Sequence, residues 1–273
     1  MVKDQKKLIR RKNWDCLIVL DACRYDYFKR NYKDYFKGRL KKVISKGSAT
    51  KEWVKKTFSE NNEDIVYLSS HAGINSKNIE VFENFSGNKT FHQVIDVWDW
   101  GWDEDLGTVP PQIVSKSTRI ARAKYPSKRL ISHFMQPHQP YLTLESSESF
   151  AARDPSKKEV KIRQLIEKIG RRIFGQLTLR RIGTFLNLRR QGSVASIAKE
   201  YGEETLHHAY EENLRIALEE VGNLVKRLPG RAVITADHGE LLGEEGLWGH
   251  PPESDNTILR RVPWLEIELV LDY

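Results

Sequence analysis

Short apolar runs alternate along this chain with longer stretches that have helical periodicity. The run from Cys16 to Leu20 is apolar at every position, which is typical of a strand covered on both faces of a sheet. Helices are predicted from Pro111 to Lys124 and from Glu203 to Leu228. This alternation predicts an α/β domain with a largely parallel central sheet. Further strands are predicted at 42–45, 64–69, 93–98, 129–134 and 232–235, and a further helix at 52–58.

Acidic and histidine residues follow three of these predicted strands. Asp21 follows the first strand, and His138 comes shortly after the strand at 129–134. Asp237 and His238 follow the last predicted strand. A lone aspartate at a strand end is more often a cap or a turn residue. Because the carboxyl ends of strands form the binding crevice of open α/β sheets, however, the three positions together predict one site. Asp and His are ligands of zinc and manganese.

Three motifs resemble those of one enzyme superfamily. Residues 233–250 read Val-Ile-Thr-Ala-Asp-His-Gly-Glu-Leu-Leu-Gly-Glu-Glu-Gly-Leu-Trp-Gly-His, and His250 closes the motif. Residues 133–141 and 17–26 are similar to a middle histidine-proline motif and to an opening strand. The chain thereby resembles the sulfatases, phosphoethanolamine transferases and lipoteichoic acid synthases of the alkaline phosphatase superfamily. Its Asp-Ala-Cys-Arg-Tyr-Asp string resembles short archaeal and bacterial sulfatase-like proteins.

The resemblance implies a three-layer α/β/α fold of the alkaline-phosphatase type, formed as a single domain by residues 1–273. It also implies an enzyme that acts on phosphoric or sulfuric esters with one or two divalent metal ions. Zinc is favoured, and manganese, calcium and magnesium are the alternatives. The implied metal ligands are Asp21, Thr50, Asp237, His238 and His250.

The nucleophile of this superfamily lies at the start of a helix after the second strand. Here that place is Gly-Ser-Ala-Thr-Lys-Glu-Trp at 47–53, where Thr50 also reads as a simple N-cap. The Gly-x-x-Thr arrangement resembles the phosphoethanolamine transferases, so Thr50 is favoured over Ser48. The Cys-x-Pro-x-Arg or Ser-x-Pro-x-Arg string of the sulfatases, which yields formylglycine, is missing. A threonine nucleophile acting on phosphorus is therefore predicted, with a sulfuric ester hydrolase as the alternative.

Four side chains are predicted to contact an anionic ester substrate. Arg24 reads equally well as an ion-paired or solvated residue. For a second metal only His133 and His138 match the family, and His133 also reads as a buried, hydrogen-bonded histidine. The predicted substrate contacts are His138, Arg24, Lys51 and Ser48.

The formal net charge of +8 is concentrated in one segment. Residues 154–199 have no counterpart in the motifs and are predicted to form a basic helical insertion. The interpretations left open are a helix packed on the core, a contact to an anionic membrane surface through 157–190, and a lid for an anionic substrate. A catalytically inactive protein that binds membrane surfaces is the alternative of another class. No nucleic-acid binding is expected, because the segment lacks aromatic partners for base stacking.

The two cysteines, Cys16 and Cys23, flank one apolar run and are predicted to be reduced thiols. That run is too short for a signal peptide or a membrane span. These features predict a cytoplasmic protein, with a membrane-peripheral location as the variant.

Overall fold

A computed structural model describes residues 3–11, 13–59, 61–144 and 194–268. Within them, one mixed sheet has the spatial order β1, β3, β10, β7, β2, β6, β4, β5, and all its strands run in the same direction except β10. A separate hairpin pairs β8 with β9. The strands are β1 (Lys3–Asp4), β2 (Cys16–Leu20), β3 (Gly38–Ile44), β4 (Asn62–Ser69), β5 (Phe91–Asp96), β6 (Arg129–Phe134), β7 (Ala232–Ala236), β8 (Leu241–Leu242), β9 (Trp248–Gly249) and β10 (Arg261–Ile267).

Helices cover both faces of the central strands, since every residue of β2 and β7 is buried. On one face, α6 packs on β6 and β4, and α8 packs on α6. The α-helices are α1 (Gln5–Arg10), α2 (Tyr25–Asn31), α3 (Thr50–Thr57), α4 (Gly87–Thr90), α5 (Val97–Trp100), α6 (Pro111–Lys124), α7 (Val194–Tyr201), α8 (Glu203–Val225) and α9 (Thr257–Arg260). The fold class predicted from the sequence is confirmed.

The predicted elements agree with the structure where the apolar pattern is continuous. The strands β2 and β6 and the helix α6 have the predicted bounds, whereas the strand expected at 93–98 ends at Asp96. The strand β10 was not predicted, and it contains Pro263, a residue that is uncommon in central strands. In the structure the carbonyl of Pro263 accepts a hydrogen bond from Thr235 Oγ1 at 2.7 Å. The sheet thus uses this proline as an acceptor.

The basic insertion predicted at 154–199 lies outside the described residues as far as residue 193, and its last residues belong to α7. Its structure and its role therefore stay predictions. Across the described ranges, no helix is long and apolar enough to cross a membrane. Cys16 and Cys23 are both buried and form no disulfide.

The parallel strands place the sequence motifs at one edge of the sheet. The strands β3, β7, β2, β6 and β4 run in one direction, so their carboxyl ends lie at the same edge. Asp21 follows β2, His71 follows β4, and Asp237 follows β7. Residues far apart in the sequence therefore converge there.

Candidate metal centre

Two carboxylates and one imidazole form a buried cluster at this edge. The candidate ligand atoms of Asp21, Asp237 and His238 all lie within 4.8 Å of one another. His238 Nε2 is 3.3 Å from Asp237 Oδ2 and 3.7 Å from Asp21 Oδ1. None of the three residues is more than 1% exposed.

The ring of His238 is held with a lone pair facing the carboxylates. Its Nδ1 lies 2.8 Å from the carbonyl oxygen of Gly239. A carbonyl can only accept, so Nδ1 donates and the Nε2 of the neutral ring carries a lone pair. That lone pair points towards Asp21 and Asp237, an arrangement that a cation would stabilise.

The position of Asp21 is set by an unusual turn after β2. Ala22 has φ 58°, in the left-handed region, and its N–H donates to Asp237 Oδ1 at 3.1 Å. The hydroxyl of Tyr210, on α8, donates to the carbonyl of Ala22 at 2.7 Å and accepts from Arg24 N at 2.9 Å. One tyrosine thus bridges both ends of the turn, and the hydrogen bond from Ala22 N connects the turn to Asp237.

Thr50 lies against this cluster. Its Oγ1 donates to Asp237 Oδ2 at 2.8 Å and is 3.3 Å from His238 Nε2. The prediction that Thr50 caps the helix is wrong: the N-cap is Ala49 and Thr50 is the first residue of α3, because its hydroxyl is taken by Asp237 instead of a backbone amide. A Cβ atom on Gly47 would lie 2.4 Å from Trp53 N, so only glycine allows the loop to approach the helix so closely.

The helix α3 is anchored to the sheet by a buried glutamine. Gln5 Nε2 donates to Thr235 Oγ1 and to the carbonyl of Ala236, both at 2.7 Å. Gln5 Oε1 accepts from Trp53 Nε1 at 2.9 Å. Because Trp53 belongs to α3 and Ala236 ends β7, these bonds fix Thr50 relative to Asp237.

The cluster fits a divalent cation. Asp21 Oδ2 is buried and has no hydrogen-bond partner among the described residues, although it lies 3.5 Å from His133 Nε2. Burial alone would raise the pKa of Asp21, but the facing imidazoles of His133, His138 and His238 outweigh it and hold that pKa well below the usual value. An ionised carboxylate beside a second carboxylate and an imidazole nitrogen is a donor set suited to zinc.

His250 belongs to a second group, next to the first. The candidate ligand atoms of His138, Glu240 and His250 lie within 4.8 Å of one another, and His250 Nδ1 is 2.8 Å from Glu240 Oε1. The His250 and His238 ring centroids are 4.5 Å apart. Burial raises the pKa of Glu240 to about 7, against the opposing effect of His138 and His238. The implied ligand set is therefore divided between two adjacent groups.

The other three predicted substrate contacts are engaged with protein groups. The buried guanidinium of Arg24 pairs with Asp26 at 2.8 Å and also with Glu244, which matches the ion-paired alternative. Lys51 Nζ lies 3.8 Å from a carboxylate oxygen of Glu83, and the Lys51 side chain is half-exposed. Ser48 Oγ donates to the carbonyl of Pro251 at 2.8 Å.

The structure adds residues that the motifs did not identify as site residues. His71 lines the pocket above Asp21 and Thr50, and its Nδ1 accepts from Gly73 N at 3.0 Å. Glu240 is the fourth residue of the Asp-His-Gly-Glu motif, and this position in the motif could have identified it as a site residue. His133, by contrast, was considered from the sequence, and the structure matches the alternative of a buried, hydrogen-bonded histidine: it is fully buried and its Nδ1 is 2.7 Å from Tyr67 Oη. His71 comes two residues after the strand predicted at 64–69, so its strand-end position was a signal that the sequence analysis did not use.

No protein-family model and no curated protein sequence match the chain. The zinc complex of the C-terminal periplasmic domain of EcEptC from Escherichia coli is similar over 93% of this chain and 72% of its own, with 12% identity and a TM-score of 0.51. The C-terminal periplasmic domain of the phosphoethanolamine transferase EptC from Campylobacter jejuni is similar over 92% of this chain and 77% of its own, with 14% identity and a TM-score of 0.48. The lipoteichoic acid synthase LtaP from Listeria monocytogenes is similar over 94% of this chain and 66% of its own, with 9% identity and a TM-score of 0.48.

The prediction of a cytoplasmic location is wrong, since the similar EcEptC structure is a periplasmic domain. The cysteine argument failed for a physical reason. Cys16 and Cys23 are buried and unbridged, and a buried thiol is chemically inert, so its reduced state does not indicate a compartment. The fold that the resemblance implies is confirmed, since the chain has the fold of the similar EcEptC domain.

Proposed function

We propose that the chain is a metal-dependent phosphoester hydrolase or phosphotransferase with Thr50 as its nucleophile. The observation that carries the proposal is the position of Thr50 Oγ1, 2.8 Å from Asp237 Oδ2 and 3.3 Å from His238 Nε2. The hydroxyl thus shares a carboxylate with the candidate metal cluster. It also lies at the amino end of α3, where free amides favour an anionic group.

Asp21, Asp237 and His238 would hold the metal, and zinc is the proposed ion. Zinc suits two carboxylates with one imidazole, and the similar EcEptC structure is a zinc complex. Bound there, the ion supplies positive charge that lowers the pKa of a nearby hydroxyl and offsets charge on a phosphoryl group. The departing or arriving group would be bound beside the ion by His138, Glu240 and His250, either directly or through a second ion.

The residues of the chain account for the bond changes. Asp237 Oδ2 orients the hydroxyl through the hydrogen bond already present, and Thr50 Oγ1 attacks phosphorus as its proton passes to solvent. The Oγ1–phosphorus bond forms, and the bond to the leaving oxygen breaks. Water then resolves the phosphothreonine in a hydrolase, and an acceptor alcohol does so in a transferase.

The proposed substrate is an anionic ester linked to a glycan or a lipid. The basic residues at 157–190, proposed to meet an anionic membrane surface, lie outside the described residues. The proposed contacts to the phosphate are Lys51, Arg24 and Ser48. In the ligand-free structure these side chains contact the protein partners described above. The sulfuric ester remains the alternative substrate.

The test compares metal-loaded and chelated protein on bis-p-nitrophenyl phosphate and on p-nitrophenyl sulfate. We expect zinc-dependent cleavage of the phosphodiester, and a loss of about 1000-fold or more in Thr50→Ala, as for removal of other nucleophiles. Thr57→Ala, at the other end of α3, is the matched control and should retain activity. Mass spectrometry should find phosphothreonine at position 50. Full activity in Thr50→Ala would refute the nucleophile, and a preference for the sulfate would favour the alternative.

A further inference from the structure

A glutamate in the first turn of α3 bonds to two separate segments of the chain. Glu52 lies two residues after Thr50, and its side chain is 10% exposed. Its Oε2 accepts from Ser48 N and from Glu253 N, both at 3.0 Å, and its Oε1 accepts from Lys56 Nζ at 2.6 Å. One carboxylate thus joins α3 to the loop before it and to a segment 201 residues away.

This arrangement goes beyond helix capping. In a capping box, a glutamate at the third helical position accepts from the backbone N–H of the N-cap residue. Glu52 is the third residue of α3, but it accepts from Ser48 N, one residue before the N-cap Ala49. The second bond, from Glu253 N, has no counterpart in a capping box. The carboxylate therefore serves a long-range contact as well as the helix end.

A second contact to the same distant segment comes from Ser48. Its Oγ lies 2.8 Å from the carbonyl oxygen of Pro251 and accepts from Ser254 N at 3.0 Å. Within the part of the chain that the structure describes, every hydrogen bond that joins residues 251–254 to a distant segment ends on Ser48 or Glu52. The first turn of α3 and the loop before it therefore hold this segment together.

The segment 251–254 begins directly after His250. It lies between β9 and α9 and belongs to neither, and Glu253 within it has φ 59°, a conformation that is unfavourable for residues other than glycine. The chain before His250 is held by the pairing of β9 with β8. The main chain of His250 is therefore fixed by the hairpin on one side and by Glu52 and Ser48 on the other.

The charge of Glu52 suits a positioning role and no proton transfer. Burial raises its pKa, but Lys56 and the amides of Ser48 and Glu253 lower it more, to about 2. At neutral pH the group is therefore a carboxylate that only accepts hydrogen bonds, and such charge-assisted bonds are stronger than neutral ones. Among the described residues, Glu52 is not one of those that line the pocket above Thr50.

We propose that Glu52 is a positioning residue that couples the helix carrying Thr50 to the segment that follows His250. The inference rests on the proposed function, in which Thr50 attacks phosphorus and His250 binds the departing or arriving group. Both side chains must then be held in one geometry, and loss of a partner behind a site residue costs about 10- to 100-fold in activity.

The kinetic test compares Glu52→Ala with Glu52→Gln on bis-p-nitrophenyl phosphate. Glutamine keeps an oxygen that accepts from the amides of Ser48 and Glu253, whereas alanine keeps no acceptor. We expect kcat to fall about 10-fold or more in Glu52→Ala and to stay within about 3-fold of the wild type in Glu52→Gln. Equal losses in the two variants would overturn the proposal, because the accepted hydrogen bonds would then not matter.

Glu80→Ala is the matched control. Glu80 Oε1 also accepts from a backbone amide, that of Asn84, at 3.0 Å, but Glu80 is exposed and the bond stays within one local loop. We expect this variant to retain the activity of the wild type. A loss equal to that of Glu52→Ala would assign the effect to general loosening of the fold and contradict the proposal.

A second readout does not depend on the reaction. Nuclear magnetic resonance spectra of the full chain, with and without zinc, are recorded with ¹⁵N-labelled histidine, and the His250 signals are identified by their loss in His250→Gln. Glu52→Ala should shift or broaden these signals, whereas Glu52→Gln and Glu80→Ala should leave them in place. Unchanged His250 signals in Glu52→Ala would refute the coupling, whatever its activity.

The two readouts separate the two proposals. If the wild type cleaves no phosphodiester but the His250 signals move in Glu52→Ala, the positioning role stands and the proposed reaction falls. If the wild type cleaves the phosphodiester and Glu52→Ala keeps both the activity and the His250 signals, the reaction stands and the positioning role falls.

Discussion

Gly239 allows the metal-binding strand end to lie directly on a neighbouring turn. A Cβ atom there would lie 2.3 Å from the carbonyl oxygen of Ile258, and Gly239 N donates to the carbonyl of Leu259 at 2.8 Å. Since Gly239 also supplies the carbonyl that orients His238, the glycine of the Asp-His-Gly-Glu motif has a steric and a positioning role.

We predict that Gly239→Ala lowers the free energy of unfolding by about 1–3 kcal/mol, because backbone must shift to admit the methyl group. It should also weaken zinc binding, since the shift moves His238. Gly222→Ala is the control: its Cβ would meet nothing nearer than 3.8 Å, and alanine in a helix gains up to about 1 kcal/mol. Urea unfolding and zinc calorimetry measure both effects. Equal stability of the two variants would contradict the steric argument.

At the scale of elements, the helix α8 supports a metal ligand that it does not itself contain. The Tyr210 hydroxyl joins Ala22 and Arg24 across the turn that carries Asp21. The left-handed conformation of Ala22 costs energy for a residue other than glycine, so the turn needs such support. Tyr210 is therefore a positioning residue.

We predict that Tyr210→Phe weakens zinc binding by about 10-fold, because Arg24 N loses its partner and the turn loosens, at a cost of about 1–3 kcal/mol. Amide hydrogen exchange at Arg24 should accelerate even without metal. Tyr141→Phe is the control, since the hydroxyl of Tyr141 is also buried but has no partner in the described ranges. Its ring contacts that of Tyr210 edge-on, with the centroids 6.4 Å apart. Equal zinc affinities in the two variants would assign Tyr210 to packing alone.

At the scale of the whole molecule, the net charge of +8 makes acid conditions unfavourable, because protonation of each carboxylate adds to the positive charge. Glu266 on β10 offsets part of this charge. Burial raises its pKa, but Lys41, Arg39 and Trp264 lower it more, to about 2. Its contribution to stability is thus present above the unfolded pKa of 4.5 and is lost as the pH falls towards 2.

We predict that Glu266→Gln reduces the loss of stability between pH 4.5 and about 2, the window that this pKa shift defines. The effect should be about 1 kcal/mol or less, because the ion pairs are partly exposed and solvent screens them. Denaturant titrations at several pH values measure it. Glu219→Gln, on the exposed face of α8, should leave the pH profile unchanged. A profile that is unchanged in Glu266→Gln would show that the pairs contribute nothing.

The sequence by itself determined the elements whose pattern is local. A continuous apolar run such as Cys16–Leu20 has to be a covered strand, and the residues directly after parallel strands have to share one edge of the sheet. Asp21, Asp237 and His238 could therefore be brought together from their strand-end positions, whereas Thr50 was predicted only from the family resemblance. The location could not, since the state of a buried thiol does not depend on its compartment.

Only the tertiary structure decided the rest, because it depends on contacts between distant segments. It assigned His250 to Glu240 and His138, placed the support of Asp21 on Tyr210, and put Thr108 on the pocket wall. Tyr210 is 188 residues from Ala22 in the sequence, and no local periodicity encodes that hydrogen bond. Local pattern fixes which residues end a strand, whereas the fold alone fixes which distant side chains meet them.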